Sequence, residues 1–132
     1  MEKVNFLDSQ FQTKMKLWDD NAYYEDLFTH IPEACVGCIK VAPMQIQQKH
    51  YHKQGADIFV VNSGKGTLYY GDVCPDSGTL INENEMSIEA GDVYFVAPYQ
   101  MHSLENVSNS EPLVILNVAP STHGEVDSFT FE

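Results

Sequence analysis

The stretch His50-Tyr51-His52-Lys53-Gln54-Gly55-Ala56-Asp57 decides the reading of this chain, together with His102 further on. Side chains on a strand alternate between its faces, so His50 and His52 point one way and Tyr51 the other. Two imidazoles projecting from one strand into one cavity exceed what packing alone requires. Asp57 adds a carboxylate and His102 a third imidazole. Imidazoles with a single carboxylate oxygen are a common ligand set for a divalent transition metal.

Outward from this stretch the chain reads as short strands separated by turns. The expected strands are 34–43, 45–52, 56–62, 66–71, 79–81, 86–89, 92–97, 101–107 and 112–118. Breaks fall at Pro43, Gly55, Ser63-Gly64-Lys65-Gly66, Pro75-Asp76-Ser77-Gly78, Asn82-Glu83-Asn84-Glu85, Gly91-Asp92, Pro98 and Ser108-Asn109-Ser110. Gly and Asn supply the positive φ values that tight turns need. Many short strands at this spacing mean an antiparallel all-β sandwich or barrel. Residues 34–120 form that barrel. Residues 1–33 are an irregular or partly helical extension that packs on the barrel or on a partner subunit, through Trp18, Tyr23, Tyr24, Phe28 and Ile31. Asp19-Asp20-Asn21 either caps a short helix over 22–27 or turns between two strands. The tail, 121–132, is polar and acidic with Phe129 and Phe131 embedded, and forms one more strand or docks on a neighbour.

At 132 residues the chain is one domain. Its 19 acidic against 7 basic residues give a net charge of −12. That balance argues against nucleic acid and anionic membranes, which require clustered Lys and Arg. Runs such as Val93-Tyr94-Phe95-Val96-Ala97 are strand length and far too short to span a bilayer. The three cysteines do not form a disulfide framework. With no signal-peptide pattern at the start, they favour a cytoplasmic location. Cys35-Val36-Gly37-Cys38 has strand-like flanks, so its cysteines read as packing residues in or beside a strand.

Two stretches resemble the paired motifs of the cupin superfamily. His50-Tyr-His52-Lys-Gln-Gly-Ala-Asp57, continuing to Gly64, is similar to the first motif, with Asp57 where the family usually has Glu. Gly91-Asp-Val-Tyr-Phe-Val-Ala-Pro98-Tyr-Gln-Met-His102-Ser-Leu-Glu-Asn106 resembles the second, with Gly91, His102 and Asn106 in register. In that register Ala97 replaces the motif's Pro and Tyr99 its second Gly. The resemblance covers roughly 40–118. It implies a double-stranded β-helix, or jelly-roll barrel, around one divalent transition metal: Fe, Mn, Ni, Zn or Cu. The implied ligands are His50, His52 and His102, with Asp57 either a direct ligand or a hydrogen-bonding partner of one. His30 and His123 lie outside both motifs and read as surface or packing residues.

Strand alternation carried backwards from His50 puts Gln48, Ile46 and Met44 on its face, with Gln48 as a polar group able to orient a substrate. Carried forwards from Asp57 it adds Phe59. Tyr70 or Tyr69 from the next strand, and Met101 from the second motif, complete a candidate substrate wall of Gln48, Ile46, Phe59, Tyr70 and Met101. The resemblance implies a metal-dependent enzyme on a small polar organic substrate, either a dioxygenase or an isomerase, lyase or decarboxylase. The alternative is a non-catalytic ligand-binding or sensory cupin. The first motif also looks like that of sulfonium-compound lyases, in which a Tyr two residues after the carboxylate ligand takes part in proton abstraction. Here that position is Phe59, which cannot serve as a base. A homodimer is expected, with 1–33 or the tail covering an exposed strand edge.

Overall fold

The computed structural model describes residues 1–17, 22–28, 31, 33–120 and 127–131. Their Gly- and Asn-punctuated apolar runs fold into two facing antiparallel sheets, as the spacing of the turns predicts. The elements are α1 (Ser9–Gln12), β1 (Lys16–Leu17), β2 (Ala22–Asp26), β3 (Cys35–Val41), β4 (His50–Tyr51), β5 (Asp57–Ser63), β6 (Lys65–Val73), β7 (Leu80–Glu89), β8 (Val93–Val96), β9 (Gln100–Asn106), β10 (Leu113–Ala119) and β11 (Phe129–Thr130). One sheet has the order β1-β2-β3-β10-β5-β8, the other β11-β4-β9-β6-β7. Consecutive strands repeatedly fall in different sheets, which is the double-stranded β-helix.

The inward faces meet in one apolar core. Ile39, Val61, Leu113 and Ile115 come from the first sheet, and Leu68, Ile88 and Leu104 from the second. Each large aliphatic buried this way contributes roughly 1.5–3 kcal/mol. Two motif residues hold the turns at this end. Gly64 has φ +92, and a Cβ there would meet the Pro112 carbonyl oxygen at 2.6 Å. Asn106 donates through Nδ2 to the carbonyls of Val41 (2.9 Å) and Glu111 (2.7 Å), and its Oδ1 accepts from the Ser108 amide.

Several elements differ from expectation. The strand foreseen over 45–52 is reduced to His50–Tyr51 and an isolated bridge between Ile46 and Glu105. Met44 has φ +62, which turns the chain out of strand conformation before the bridge. The expected break at 82–85 is absent: β7 runs unbroken from Leu80 to Glu89. Asn82, with φ +55, lies instead at a register shift against β6, so the turn-forming residues make a bulge.

In the N-terminal extension, Asp8 caps the single turn of α1 through the Gln10 amide (2.9 Å). Residues 22–26 take the strand alternative, with β2 paired to both β1 and β3. The extension lays Phe11 and Met15 over Cys38 and Val114 on the outer face of its own barrel. Trp18, Asp19-Asp20-Asn21, His30 and His123 lie outside the described residues. At the other end β11 pairs with β4, so the tail adds the extra strand. No helix among the described residues is long and apolar enough to cross a membrane.

Candidate metal centre

His50 and His102 are direct cross-strand partners on β4 and β9. Partners in register share a face, and the two rings stand 4.2 Å apart between centroids. Tyr70 on β6 is the next partner of His102 in the same row, so it is Tyr70 that faces inward. Tyr69 lies on the outer face, where its hydroxyl donates to Glu105 (2.6 Å). His52 follows β4 and completes the cluster, 5.2 Å from each of the other imidazoles between centroids. Asp57 opens β5 in the opposite sheet. Its Oδ2 lies 3.0 Å from His52 Nε2 and 3.6 Å from His102 Nε2. All four side chains are buried.

The protonation pattern follows from the backbone. Nδ1 of His50 meets the Gln48 carbonyl (3.0 Å), Nδ1 of His102 meets the Gln100 carbonyl (3.2 Å), and Nδ1 of His52 meets the Asp127 carbonyl. A carbonyl only accepts, so each Nδ1 carries the proton and donates it. Nε2 of His52 then lies against the Asp57 carboxylate, and Nε2 of His102 is buried beside it. One ligand atom from each of the three imidazoles lies within 4.8 Å of the others. His102 Nε2 is buried without a hydrogen-bond partner. An orphaned acceptor costs about 1–3 kcal/mol unless something occupies its lone pair. Burial first, and then the neighbouring His50, push His102 well below the ordinary histidine range, which keeps it neutral. Burial also pushes His52 down, but the Asp57 carboxylate and the Asp127 carbonyl outweigh it and hold His52 above its usual value, so a cation at this nitrogen would displace a proton. Three ring nitrogens and one carboxylate in a buried interior fit a divalent cation.

Of the expected substrate wall, Phe59 and Tyr70 stand on the inward face. Phe59 is buried 5.7 Å from the His102 ring. Gln48 and Ile46 do not share the face of His50: both are exposed, because the chain there is not a strand and alternation does not apply. Gln48 meets the site through its carbonyl, at His50 Nδ1. Met101 is buried but alternates away from His102, into an outer cluster with Tyr51 and Val73 against which Tyr99, Phe129 and Phe131 pack. Tyr99 occupies its position with φ +60, left-handed despite its side chain. Its amide donates to the His52 carbonyl (2.8 Å) and its carbonyl accepts from the Val73 amide (2.8 Å), which fixes the loop before His102. Cys35 and Cys38 both lie on β3, and all three cysteines are free.

Sequence reading missed Asp127. Its carboxylate accepts from the amides of Lys53 (2.8 Å) and Gln54 (2.9 Å) while its carbonyl orients His52. No local pattern in the acidic tail marks that residue. Tyr94 was visible as part of the second motif, but its inward position follows from its register with Phe59.

A double-stranded β-helix with an inward histidine cluster at paired strands defines a class of small β-barrels whose interior histidines could hold a metal ion. The chain belongs to the cupin family, whose domain description matches residues 37–119. It is similar in structure to an uncharacterized conserved protein with a double-stranded beta-helix domain from Klebsiella pneumoniae (TM-score 0.65, 21% identity, covering 92% of this chain and 93% of that one). It is also similar to KdgF from Halomonas sp. (TM-score 0.62, 17% identity, 81% and 87% covered). A third likeness is to Lactobacillus farciminis oxalate decarboxylase in a formate complex (TM-score 0.70, 14% identity, 89% of this chain). The chain spans about a third of that enzyme's length, with 33% covered. No curated protein matches the sequence.

Proposed function

We propose that this cupin is a metal-dependent enzyme acting on a small polar organic substrate, through dioxygenase chemistry or isomerase, lyase or decarboxylase chemistry. The observation that carries the reading is the convergence of one ring nitrogen from each of three histidines with the Asp57 carboxylate in a buried interior. A purely structural histidine would have its second nitrogen satisfied, and His102 does not. His50, His52 and His102 hold the metal, with Asp57 beside them. The bound metal supplies Lewis acidity toward a substrate oxygen or a bound water. Phe59 and Tyr70 shape the apolar and polar sides of the interior next to it.

Elemental analysis of the purified protein, followed by turnover assays against a library of small acids and sugars, tests this reading. Stoichiometric metal and turnover of one substrate class support it. Metal-free protein that takes up no added Fe, Mn, Ni, Zn or Cu overturns it. Metal binding without turnover across the library favours a ligand-binding cupin.

We also propose a homodimer. The described parts of the N-terminal extension and the tail pack on their own barrel. The edge strand β8 exposes Val93 (64%) and Phe95 (70%) beside Ile58 (44%) on β5. An uncovered apolar strand edge is a hazard that pairing removes. Light scattering at micromolar concentration is expected to give twice the chain mass, and a monomer overturns it.

A further inference from the structure

Among the described residues, two buried side-chain polar atoms have no hydrogen-bond partner: His102 Nε2 and the Tyr94 hydroxyl. The metal centre accounts for the first. Nothing so far accounts for the second, and a buried unsatisfied hydroxyl is a cost that a fold normally avoids.

Tyr94 lies on β8, directly opposite Phe59 on β5, with the Asp57–Val96 pair two residues along the same ladder. Its ring stacks on Phe59 at 4.8 Å and 15°. Phe59 in turn lies 5.7 Å from His102. Stacking in register sends both rings the same way into the barrel, and the tyrosine carries a hydroxyl where phenylalanine ends. Burial, with the Asp57 carboxylate acting in the same direction, raises this phenol far above its ordinary range. It is therefore a standing hydrogen-bond donor.

A ligand satisfying both features needs one oxygen for a cation at the histidines and a second that accepts from a phenol. We propose that the Tyr94 hydroxyl binds the substrate, donating to the second oxygen of a small carboxylate whose first oxygen is held at the His50, His52 and His102 centre. This assignment rests on the metal-centre reading. It also specifies a contact that the neighbouring Phe59 cannot make.

The test uses Co(II)-loaded full-length protein, with acetate as the probe and the visible Co(II) absorption as the readout. Wild type is compared with Tyr94→Phe and with Tyr69→Phe, which makes the same chemical change on the outer face. Co(II) affinity is expected to be the same in all three. Acetate affinity is expected to fall about tenfold or more in Tyr94→Phe, the loss of one hydrogen bond to a charged oxygen, and to hold in Tyr69→Phe. Chloride, which has no second oxygen, is expected to bind equally to all three. Equal acetate affinity in wild type and Tyr94→Phe, or no spectral response to acetate in wild type, overturns the assignment. Failure of wild type to take up Co(II) appears before acetate is added; it marks failure of the metal-centre reading and removes this assignment with it. Thermal melting of the metal-free proteins gives an independent readout. Tyr94→Phe deletes an unsatisfied buried hydroxyl, so it is expected to melt at or above the wild-type temperature. A clear fall would mean that the hydroxyl is structural, and would overturn the proposal.

Discussion

The backbone carbonyl of Asp127 accepts a hydrogen bond from Nδ1 of His52. The same residue's carboxylate takes the amides of Lys53 and Gln54. One tail residue thus fixes the ring of a candidate ligand and the loop that follows it, while β11 secures the tail against β4. Asp127→Ala removes two charge-assisted hydrogen bonds from a buried carboxylate. It is expected to destabilise the protein by about 2–4 kcal/mol. Metal affinity is expected to fall about 10–100-fold, the usual loss when an orienting partner is disturbed. Denaturant melts and a competitive metal titration check both, and unchanged metal affinity would separate the tail from the site.

Removing metal is expected to lower stability. A ligand that binds only the native state adds about 2.7 kcal/mol when present at a hundredfold excess over Kd. A chelator should therefore lower the melting temperature of the loaded protein. His102→Ala is expected to abolish that difference, because it removes the buried, neutral imidazole at the centre of the row from His50 to Tyr70. Identical melts of loaded wild type with and without chelator would count against the site.

Asp57 lies against two Nε2 atoms and departs from the usual family residue. Asp57→Asn keeps the shape and removes the anionic charge. It is expected to weaken metal binding by more than the 10–100-fold typical of an outer hydrogen-bonding partner. Asp57→Glu is expected to retain binding. Full-strength binding by Asp57→Asn, measured by isothermal titration, would show a site held by the three histidines alone.

The cysteines are expected to react in a fixed order. Burial pushes the Cys38 thiol up to about 11. Burial and a hydrogen bond to Asp26 push Cys35 to about 11 as well. Hydrogen bonds from Ser77 and the Asp76 backbone lower Cys74, which sits in a surface turn. The thiolate is the reactive form, so a disulfide reagent near neutral pH should label Cys74 first. Mass spectrometry of the partially labelled protein checks this, and faster labelling of Cys35 or Cys38 would contradict it.

The strand spacing and the two motifs were legible in the sequence because each depends on local periodicity and on turns at Gly64 and Gly91, which take φ +92 and +95. The inward direction of His50, His52, Asp57 and Phe59 was legible for the same reason. Alternation failed at Gln48 and Ile46, since it applies only where the chain is a strand, and residues 45–49 are not one. It also misplaced Met101, which the motif put near the site although its parity is opposite to that of His102. Asn82 to Glu85 read as a turn, but pairing to β6 absorbed the positive φ of Asn82 as a bulge.

By itself, then, the sequence determined the all-β architecture, the cupin motifs and the three histidines with Asp57, because strand period and turn chemistry are properties of neighbouring residues. Only the tertiary structure decided that Asp127 orients His52, that Tyr70 and not Tyr69 faces His102, and that Tyr94 stacks inward on Phe59. Those relations join segments far apart in the chain. Cross-strand register and the docking of the tail fix them, and neither is written in any local stretch of residues.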